Sequence, residues 1–486
     1  MLAVVDMGSN SFRLEIGRVE GDQIFRLDTV RETLRIGAGM DRRGRLTVSA
    51  QRRALEGLAR LGERLRGFPR EAVRAVATQT FRAATNIDAF MPRAEAALGF
   101  PIDIIGGNEE ARLIYLGVAH ELPPSPQPRL VVDIGGGSTE FILGQAMTPL
   151  DLDSLTLGCV EVTQRFFPGG LLTAQAFDAA ETHARAQIEA IAGRFERSRW
   201  NEAFASSGTA LALAEILTAN QYSPLGITPA GLGRLRKRMI AAGAIDRLAI
   251  QGLKASRAPV LAGGFAIMRA IVAELGAEQI LPVGGALRLG VLYDLLGRTV
   301  RRDSRMLTVE HFIDRYRVDR DHALRVAATA KALYLEGVAR PDAAAAQRVE
   351  WAALLHEVGF AVSHLGFHKH SAYILHNADM PGFSAGEQKN LALLVLGCRG
   401  RLDKVADALD EADMRARILA LRIAVLLHHA RRPIALPRIK IEVGRSTRVL
   451  IAPAWLARHP LTAHLLDRER AEWSAAGHPM TRSKGA

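Results

Sequence analysis

Short apolar runs and amphipathic stretches alternate along the first three hundred residues. Runs at 2–6, 13–19 and 23–30 are apolar or β-branched and predict three strands, the last two parted by a polar turn at Glu20-Gly21-Asp22. Residues 49–66 switch to helical spacing, with Leu55, Leu58, Leu61 and Leu65 on one face. Strands are predicted at 73–78 and 102–105, and helices at 86–98 and 109–122. The proline-rich segment 123–128 reads as a linker. The pattern then restarts, with strands at 130–134, 139–144 and 152–157, helices near 173–197, a strand at 202–206 and a helix at 210–219. Two later helices open at Gly263-Gly264 and Gly284-Gly285. From about 303 the chain turns almost wholly helical, with Ala/Leu/Arg stretches at 321–339, 347–363, 385–397 and 411–431; only 438–452 reads as β. The strand–helix order predicts an α/β layer fold. The restart predicts an internal duplication, with domains at 1–122 and 123–302 and a separate helical domain at 303–486.

The two restarting strands share a chemical signature. Val4-Val5-Asp6-Met7-Gly8-Ser9-Asn10 and Val131-Val132-Asp133-Ile134-Gly135-Gly136-Gly137-Ser138 each end an apolar strand in aspartate and then turn through glycine and serine. Backbone N–H groups in such a turn cradle phosphate oxygens, and the carboxylate can hold a neutralising cation. Glycine permits the close approach. Two copies predict two half-sites facing one phosphate cleft. Neither copy has the Lys-Ser/Thr of a P-loop or the spacing of a dinucleotide fingerprint. Ser207, Gly208 and Thr209 repeat the strand–glycine–hydroxyl logic after the strand at 202–206.

Other residues leave their roles open. Glu109 and Glu110 begin a helix, where carboxylates stabilise the macrodipole; Glu110 could instead face the cleft and activate a water. Arg82 could clamp a phosphate with its guanidinium fork or simply be an exposed helix-start arginine. Lys254 and Arg257 are candidate contacts to a long anion. His356, His364, His368, His370 and His376 cluster in the helical part. His356-Glu357 resembles the start of a metal-dependent phosphohydrolase core, but the ligand set looks incomplete, so packing or basic contacts to a polymer are expected there.

The net charge of +12 favours a polyanionic partner or substrate, beside the plainer alternative of a solvated arginine-rich surface. From 303 onward there are 27 basic and 20 acidic residues. No zinc-finger, RNP or aromatic-interleaved basic pattern points to specific nucleic-acid binding. Cys159 and Cys398 lack metal spacing and read as buried thiols of a reducing compartment. With no basic-then-apolar leader and no apolar run of membrane-spanning length seen, a cytoplasmic location is expected.

Taken together these motifs resemble the exopolyphosphatase/guanosine pentaphosphate phosphohydrolase family in its long form. The resemblance is carried by DMGSNSFRLEI at 6–16, GGNEEARLIYLGV at 106–118, DIGGGSTEFILG at 133–144, LGCV at 157–160, SSGT at 206–209 and VGGALRLGVLYDLLGR at 283–298. In the helical part it is carried by LLHEVGFAVSHLGFHKHSAYILHNADMPGF at 354–383. It implies two ribonuclease-H-like domains of the sugar kinase–actin–heat-shock ATPase superfamily, followed by an all-α domain similar to the metal-dependent phosphohydrolase core. It implies Glu110 as the catalytic carboxylate and Asp6, Asp133 and Glu140 as Mg²⁺-linked acids. Gly8, Ser9, Asn10, Arg82, Gly135, Gly136, Gly137, Ser138, Ser207, Gly208 and Thr209 would bind phosphates. The implied reaction is release of orthophosphate from the end of inorganic polyphosphate by a homodimer. The sister activity, hydrolysis of the 5′-phosphate of guanosine pentaphosphate, alone or beside the first, is the nearest alternative, and guanosine pentaphosphate or tetraphosphate is a candidate partner. An ATP-dependent kinase of the superfamily and a non-catalytic polyphosphate- or nucleic-acid-binding regulator are more distant ones.

Overall fold

The structure, a computed structural model, describes all residues except 22, 42, 285, 300–302, 444–446 and 485–486. Asp22 of the predicted turn, Gly285 of the late glycine pair, the boundary at 302 and part of the predicted β stretch 438–452 therefore lie outside the described residues. Two units are present, Met1–Ser304 and Arg305–Ala486.

The first unit is built on two sheets of matching topology. Strands β1 (Leu2–Met7), β2 (Ser11–Glu20), β3 (Gln23–Thr33), β4 (Val73–Ala77) and β5 (Ile102–Ile104) lie in the order β3-β2-β1-β4-β5. Strands β6 (Pro128–Ile134), β7 (Thr139–Gln145), β8 (Thr148–Leu155), β9 (Glu202–Ser206) and β10 (Leu281–Pro282) lie in the order β10-β9-β6-β7-β8. In each sheet the first three strands are antiparallel and the last two join in parallel. This is the duplicated actin/ATPase-like architecture that the restart in the sequence predicts.

Helices α1 (Val48–Arg64), α2 (Gln79–Ala83), α3 (Ile87–Leu98) and α4 (Gly107–Glu121) belong to the first half. Helices α5 (Cys159–Phe166), α6 (Ala174–Ala192), α7 (Ser207–Ala219), α8 (Pro229–Ala242), α9 (Leu261–Leu275) and α10 (Leu287–Thr299) belong to the second. The predicted leucine stripe of α1 packs with α3 on one face of the first sheet, where Leu58, Leu61, Phe90 and Leu98 meet Val5, Met7 and Leu14. A different core joins the halves. Leu113, Ile114 and Val118 of α4 and Val291 and Leu292 of α10 fill the space between Val4 and Val76 of one sheet and Val131, Ile142 and Phe204 of the other. Both central strands are thus covered on two faces, which is why they read as continuous apolar runs rather than alternating ones. The two helices touch through glycine: a Cβ on Gly290 would sit 1.7 Å from the Leu113 carbonyl oxygen, and one on Gly117 2.3 Å from that of Ala286.

The segment Ala258–Leu275, containing α9, is long and apolar enough to cross a membrane, with a mean hydropathy of 1.6. It is a core helix here: Phe265, Ala266, Ile267, Met268 and Ile271 are fully buried against α5, α6 and the second sheet. Gly263 allows its close seat, since a Cβ there would lie 2.5 Å from Thr163 Oγ1.

The second unit holds α11 (Ser304–Arg315), α12 (Arg320–Gly337), α13 (Ala343–Leu355), α14 (Phe367–Asn377), α15 (Ala385–Gly397), α16 (Ala406–Leu409), α17 (Ala412–Leu427), α18 (Pro453–Arg458) and α19 (Pro460–Ala475). Its core gathers Tyr334, Trp351, Leu391, Ile418 and Trp473. The unit is mainly helical, yet it also carries a three-stranded sheet of β11 (Ile439–Val443), β12 (Thr447–Ile451) and β13 (Met480–Lys484). The strand pair matches the predicted β stretch; the third strand had no apolar pattern to announce it. The helix predicted over 347–363 stops at Leu355, where Glu357 leaves helical geometry and a 3₁₀ turn follows.

Candidate active site

The two glycine turns have the same local geometry. Gly8 N–H donates to the Ser11 carbonyl (3.3 Å), and Gly135 N–H donates to the Ser138 carbonyl (2.8 Å). Register extends the match: Asp6 pairs with Arg13 across β1–β2, and Asp133 pairs with Glu140 across β6–β7. One duplicated position therefore holds a cation in the first half and an acid in the second. The turns face each other directly. A Cβ on Gly136 would lie 3.1 Å from Ser9 Cβ, and one on Gly137 3.1 Å from Ser9 Oγ.

A cavity of about 250 Å³ opens where they meet. Of the residues expected from the sequence, Asp6, Gly8, Ser9, Asn10, Glu110, Asp133, Gly135, Gly136, Gly137, Ser138, Ser207, Gly208 and Thr209 all line it. The N-terminal turns of α4 and α7 supply Glu110 and the Ser207–Thr209 segment, so the positive ends of both helices face the cavity. Ser207 adopts φ of 88°, a left-handed conformation unusual outside glycine, and its Oγ accepts from the N–H groups of Thr209 (3.2 Å) and Ala210 (3.3 Å).

Arg82 and Glu140 stand behind the wall rather than in it. Arg82 Nη1 donates to Glu110 Oε2 (2.9 Å) and to the Ile105 carbonyl (2.7 Å), while Nη2 donates to Gln79 Oε1 (2.9 Å). The structure thus places Arg82 on the candidate base, with its fork already engaged. Glu140 is buried, and its Oε1 accepts from Ser154 Oγ (2.9 Å). Glu109, expected as a helix-capping acid, instead binds Arg112 through both oxygens (2.7 and 2.8 Å).

Burial sets the electrostatics. Removal from water pushes the Glu110 carboxyl up to about 7, against the pull of Arg82. The same cause pushes Asp133 up to about 6 despite a hydrogen bond from Ser206 Oγ, and raises Asp6. Glu140 is raised well above the carboxylate range by burial and then by repulsion from Glu110 and Asp133. Four acids crowd one place.

Cations face them. Arg288 Nη1 lies 3.4 Å from Asp6 Oδ2 and its Nε 3.0 Å from buried Glu15. Arg13 and Arg257 also line the cavity. Burial and repulsion from Arg288, Arg31 and Arg257 hold Arg13 down to about 10. The sequence reading missed Arg13 and Arg288. Their available signal was position: each sits on an element that directly follows a glycine turn. Arg257 covers Gly208 so closely that a Cβ there would fall 1.7 Å from Nη2. Gly208→Ala should therefore fold normally while swinging Arg257 away, weakening phosphate binding about tenfold or more, readable as a rise in KM or inhibitor Kd with little change in thermal midpoint.

Comparison with known proteins places the chain among phosphatases. Among solved structures the chain is similar to an exopolyphosphatase from Cytophaga hutchinsonii, with 25% identity and a TM-score of 0.55 over 61% of this chain and 98% of that one. It is similar in fold to the PPX-GPPA enzyme of Aquifex aeolicus, with 24% identity and a TM-score of 0.51 over 60% of this chain and 98% of that one. The family described as Ppx/GppA phosphatase matches residues 16–299, and its domain III matches 304–470. With the duplicated sheets, the facing turns and both family matches in agreement, the chain belongs to the Ppx/GppA phosphatase family.

Proposed function

We propose that this phosphatase is an exopolyphosphatase, releasing orthophosphate from the end of inorganic polyphosphate with Glu110 as general base. The observation that carries this reading is the opposition of Arg13, Arg257 and Arg288 to four buried acids around one cavity of hydroxyls and glycine N–H groups. Arg82 occupies Glu110 Oε2, so Oε1 is the oxygen that takes the proton of the attacking water. The water oxygen bonds to the terminal phosphorus, the bridging P–O bond breaks with its electron pair going to the bridging oxygen, and that oxygen leaves on the new terminal phosphate of the shortened chain as orthophosphate is released. The turn N–H groups and the arginines stabilise charge on the non-bridging oxygens. A base near pH 7 is matched to neutral conditions, so kcat/KM should rise with pH through that region as Glu110 loses its proton.

The acids fit a hard divalent cation. Every donor is a carboxylate oxygen, the preference of Mg²⁺, and crowding of like charge is what such a cation relieves. Asp6 and Asp133 face the cavity and would hold it, with Glu140 one layer behind. When bound, the cation neutralises the phosphate oxygens. Linkage supplies a test by stability. Asp133 and Glu110 carry raised pKa values, so the native state binds more protons than the unfolded one, and stability without cation falls as pH rises from the ordinary carboxylate range to about 7. Mg²⁺ should raise the thermal midpoint more at pH 8 than at pH 5; an equal rise at both would contradict the assignment of these acids.

A linear chain suits the approach to the site. Arg13 and Arg31 are direct cross-strand partners on β2 and β3, like charges whose repulsion a passing polyanion relieves. Guanosine pentaphosphate offers the same terminal chemistry. Specificity constants for long-chain polyphosphate and for guanosine pentaphosphate, measured side by side, decide between them. The proposal expects the polymer to be preferred; activity confined to the nucleotide would move the enzyme to the sister activity.

A further inference from the structure

The helical unit buries three ligand-type groups that the phosphate cleft does not use. His322 lies in the first turn of α12, and His356 and Glu357 follow α13; all three are buried. One ligand atom from each lies within 4.8 Å of the others. Both imidazole Nε2 atoms are 3.7 Å from Glu357 Oε1. Tetrahedral coordination with metal–ligand bonds of about 2.0–2.1 Å requires neighbouring ligand atoms about 3.3 Å apart, so two of the three edges are nearly at that length.

A second observation points to a missing ligand. His356 is 0% exposed, and its Nδ1 donates to the Ala353 carbonyl (2.6 Å). That bond fixes the tautomer and leaves the lone pair on Nε2. Nε2 is buried without a hydrogen-bond partner. A histidine whose Nδ1–H is tied to a backbone carbonyl while Nε2 points into a ligand cluster is the arrangement of metal-bound imidazoles. Two imidazoles and one carboxylate suit a borderline-soft ion rather than Mg²⁺ or Ca²⁺.

Glu357 also carries Arg431, whose Nη1 and Nη2 lie 2.7 and 2.8 Å from its two oxygens. Arg431 is the more exposed partner of the pair: its side chain is 41% exposed, and Nη2 also reaches Asp319 at 3.3 Å. The guanidinium neutralises the carboxylate, and Asp319 offers it somewhere to go.

We propose that His322, His356 and Glu357 bind one divalent first-row transition metal of the zinc class, with Arg431 as the displaceable cation that holds Glu357 in its absence. The sequence reading found His356-Glu357 but judged the ligand set incomplete; the fold supplies the second imidazole from α12, 34 positions earlier in the chain.

The test is a Co²⁺ titration of the chelator-stripped full chain in excess Mg²⁺, which occupies the all-oxygen cleft, followed by visible absorption and by bound-metal analysis. One equivalent of Co²⁺ per chain with a d–d band is expected, displaced by Zn²⁺. His322→Gln should lose the band and the stoichiometry while phosphatase activity in Mg²⁺ and the circular dichroism spectrum stay unchanged. Arg431→Met should bind at least tenfold more tightly. Absence of Co²⁺ binding by both the wild type and Arg431→Met would overturn the proposal. So would full binding by His322→Gln. Binding by Arg431→Met alone would also overturn it, since the arginine would then be the permanent occupant.

Discussion

Glu110→Gln should lower phosphate release from polyphosphate by roughly 10²–10⁴-fold, the range for loss of a positioned general base. Folding should survive the change, and the thermal midpoint above pH 7 should not fall. The reason lies in the environment: burial already disfavours the charged carboxylate, and Arg82 can donate to the amide oxygen as it does to Oε2. A destabilised inactive variant would mark Glu110 as structural. Retained activity would remove it from the chemistry. Binding of polyphosphate, read by competition, should persist in the inactive variant, because the arginines and turn N–H groups that hold the chain are untouched.

The largest stability effect is expected at Asp294, which does no chemistry. It is buried on α10 and accepts from Arg74 of β4 (2.7 Å), Arg112 of α4 (2.6 Å) and Arg298 (2.9 Å). Arg112 in turn holds Glu109. This network ties the helix carrying the candidate base to the first sheet and to α10. Asp294→Asn leaves buried guanidinium charge without its partner, which costs about 3–5 kcal/mol. Three neighbouring arginines hold the Asp294 carboxyl far below the usual carboxylate range, against the opposing effect of burial. A depressed native pKa contributes stability that is full above the unfolded value of 3.8 and is lost progressively as pH falls from there toward the native pKa. The difference between wild type and variant should therefore be full at pH 7 and shrink below about pH 4. Urea unfolding with hydrogen exchange read on β4 and α4 measures it; a pH-independent difference would show that the loss is one of packing.

Much of the candidate cleft was legible because its signals are local. An apolar strand ending in aspartate before glycine and serine fixes a turn wherever the sheet lies, so Asp6, Asp133 and the two glycine turns could be read directly. The duplication was legible for the same reason, as a restart in strand–helix order. Arg13, Arg288 and Asp294 were not, because their meaning comes from register and from helices crossing between halves. Arg13 reads as a routine outward residue of a strand until its pairing with Asp6 makes it the first-half counterpart of Glu140, which pairs with Asp133 in the second. Arg82 was legible as a basic residue near the site, but only the fold shows it bound to Glu110. In the helical unit, α14 and β13 lacked a clean period, and tertiary packing decides them. His322 carries no motif of its own, and only the packing of α12 on α13 brings it to His356.

The most direct measurement is the product distribution of long-chain polyphosphate digested by the 486-residue chain in Mg²⁺, sampled early and resolved by chain length. Orthophosphate as the sole early small product, with the remaining chains still long and Glu110→Gln inert, is the predicted result. Chains cut to intermediate lengths, or no release at any pH between 6 and 9, would contradict a terminal-phosphate site built around Glu110.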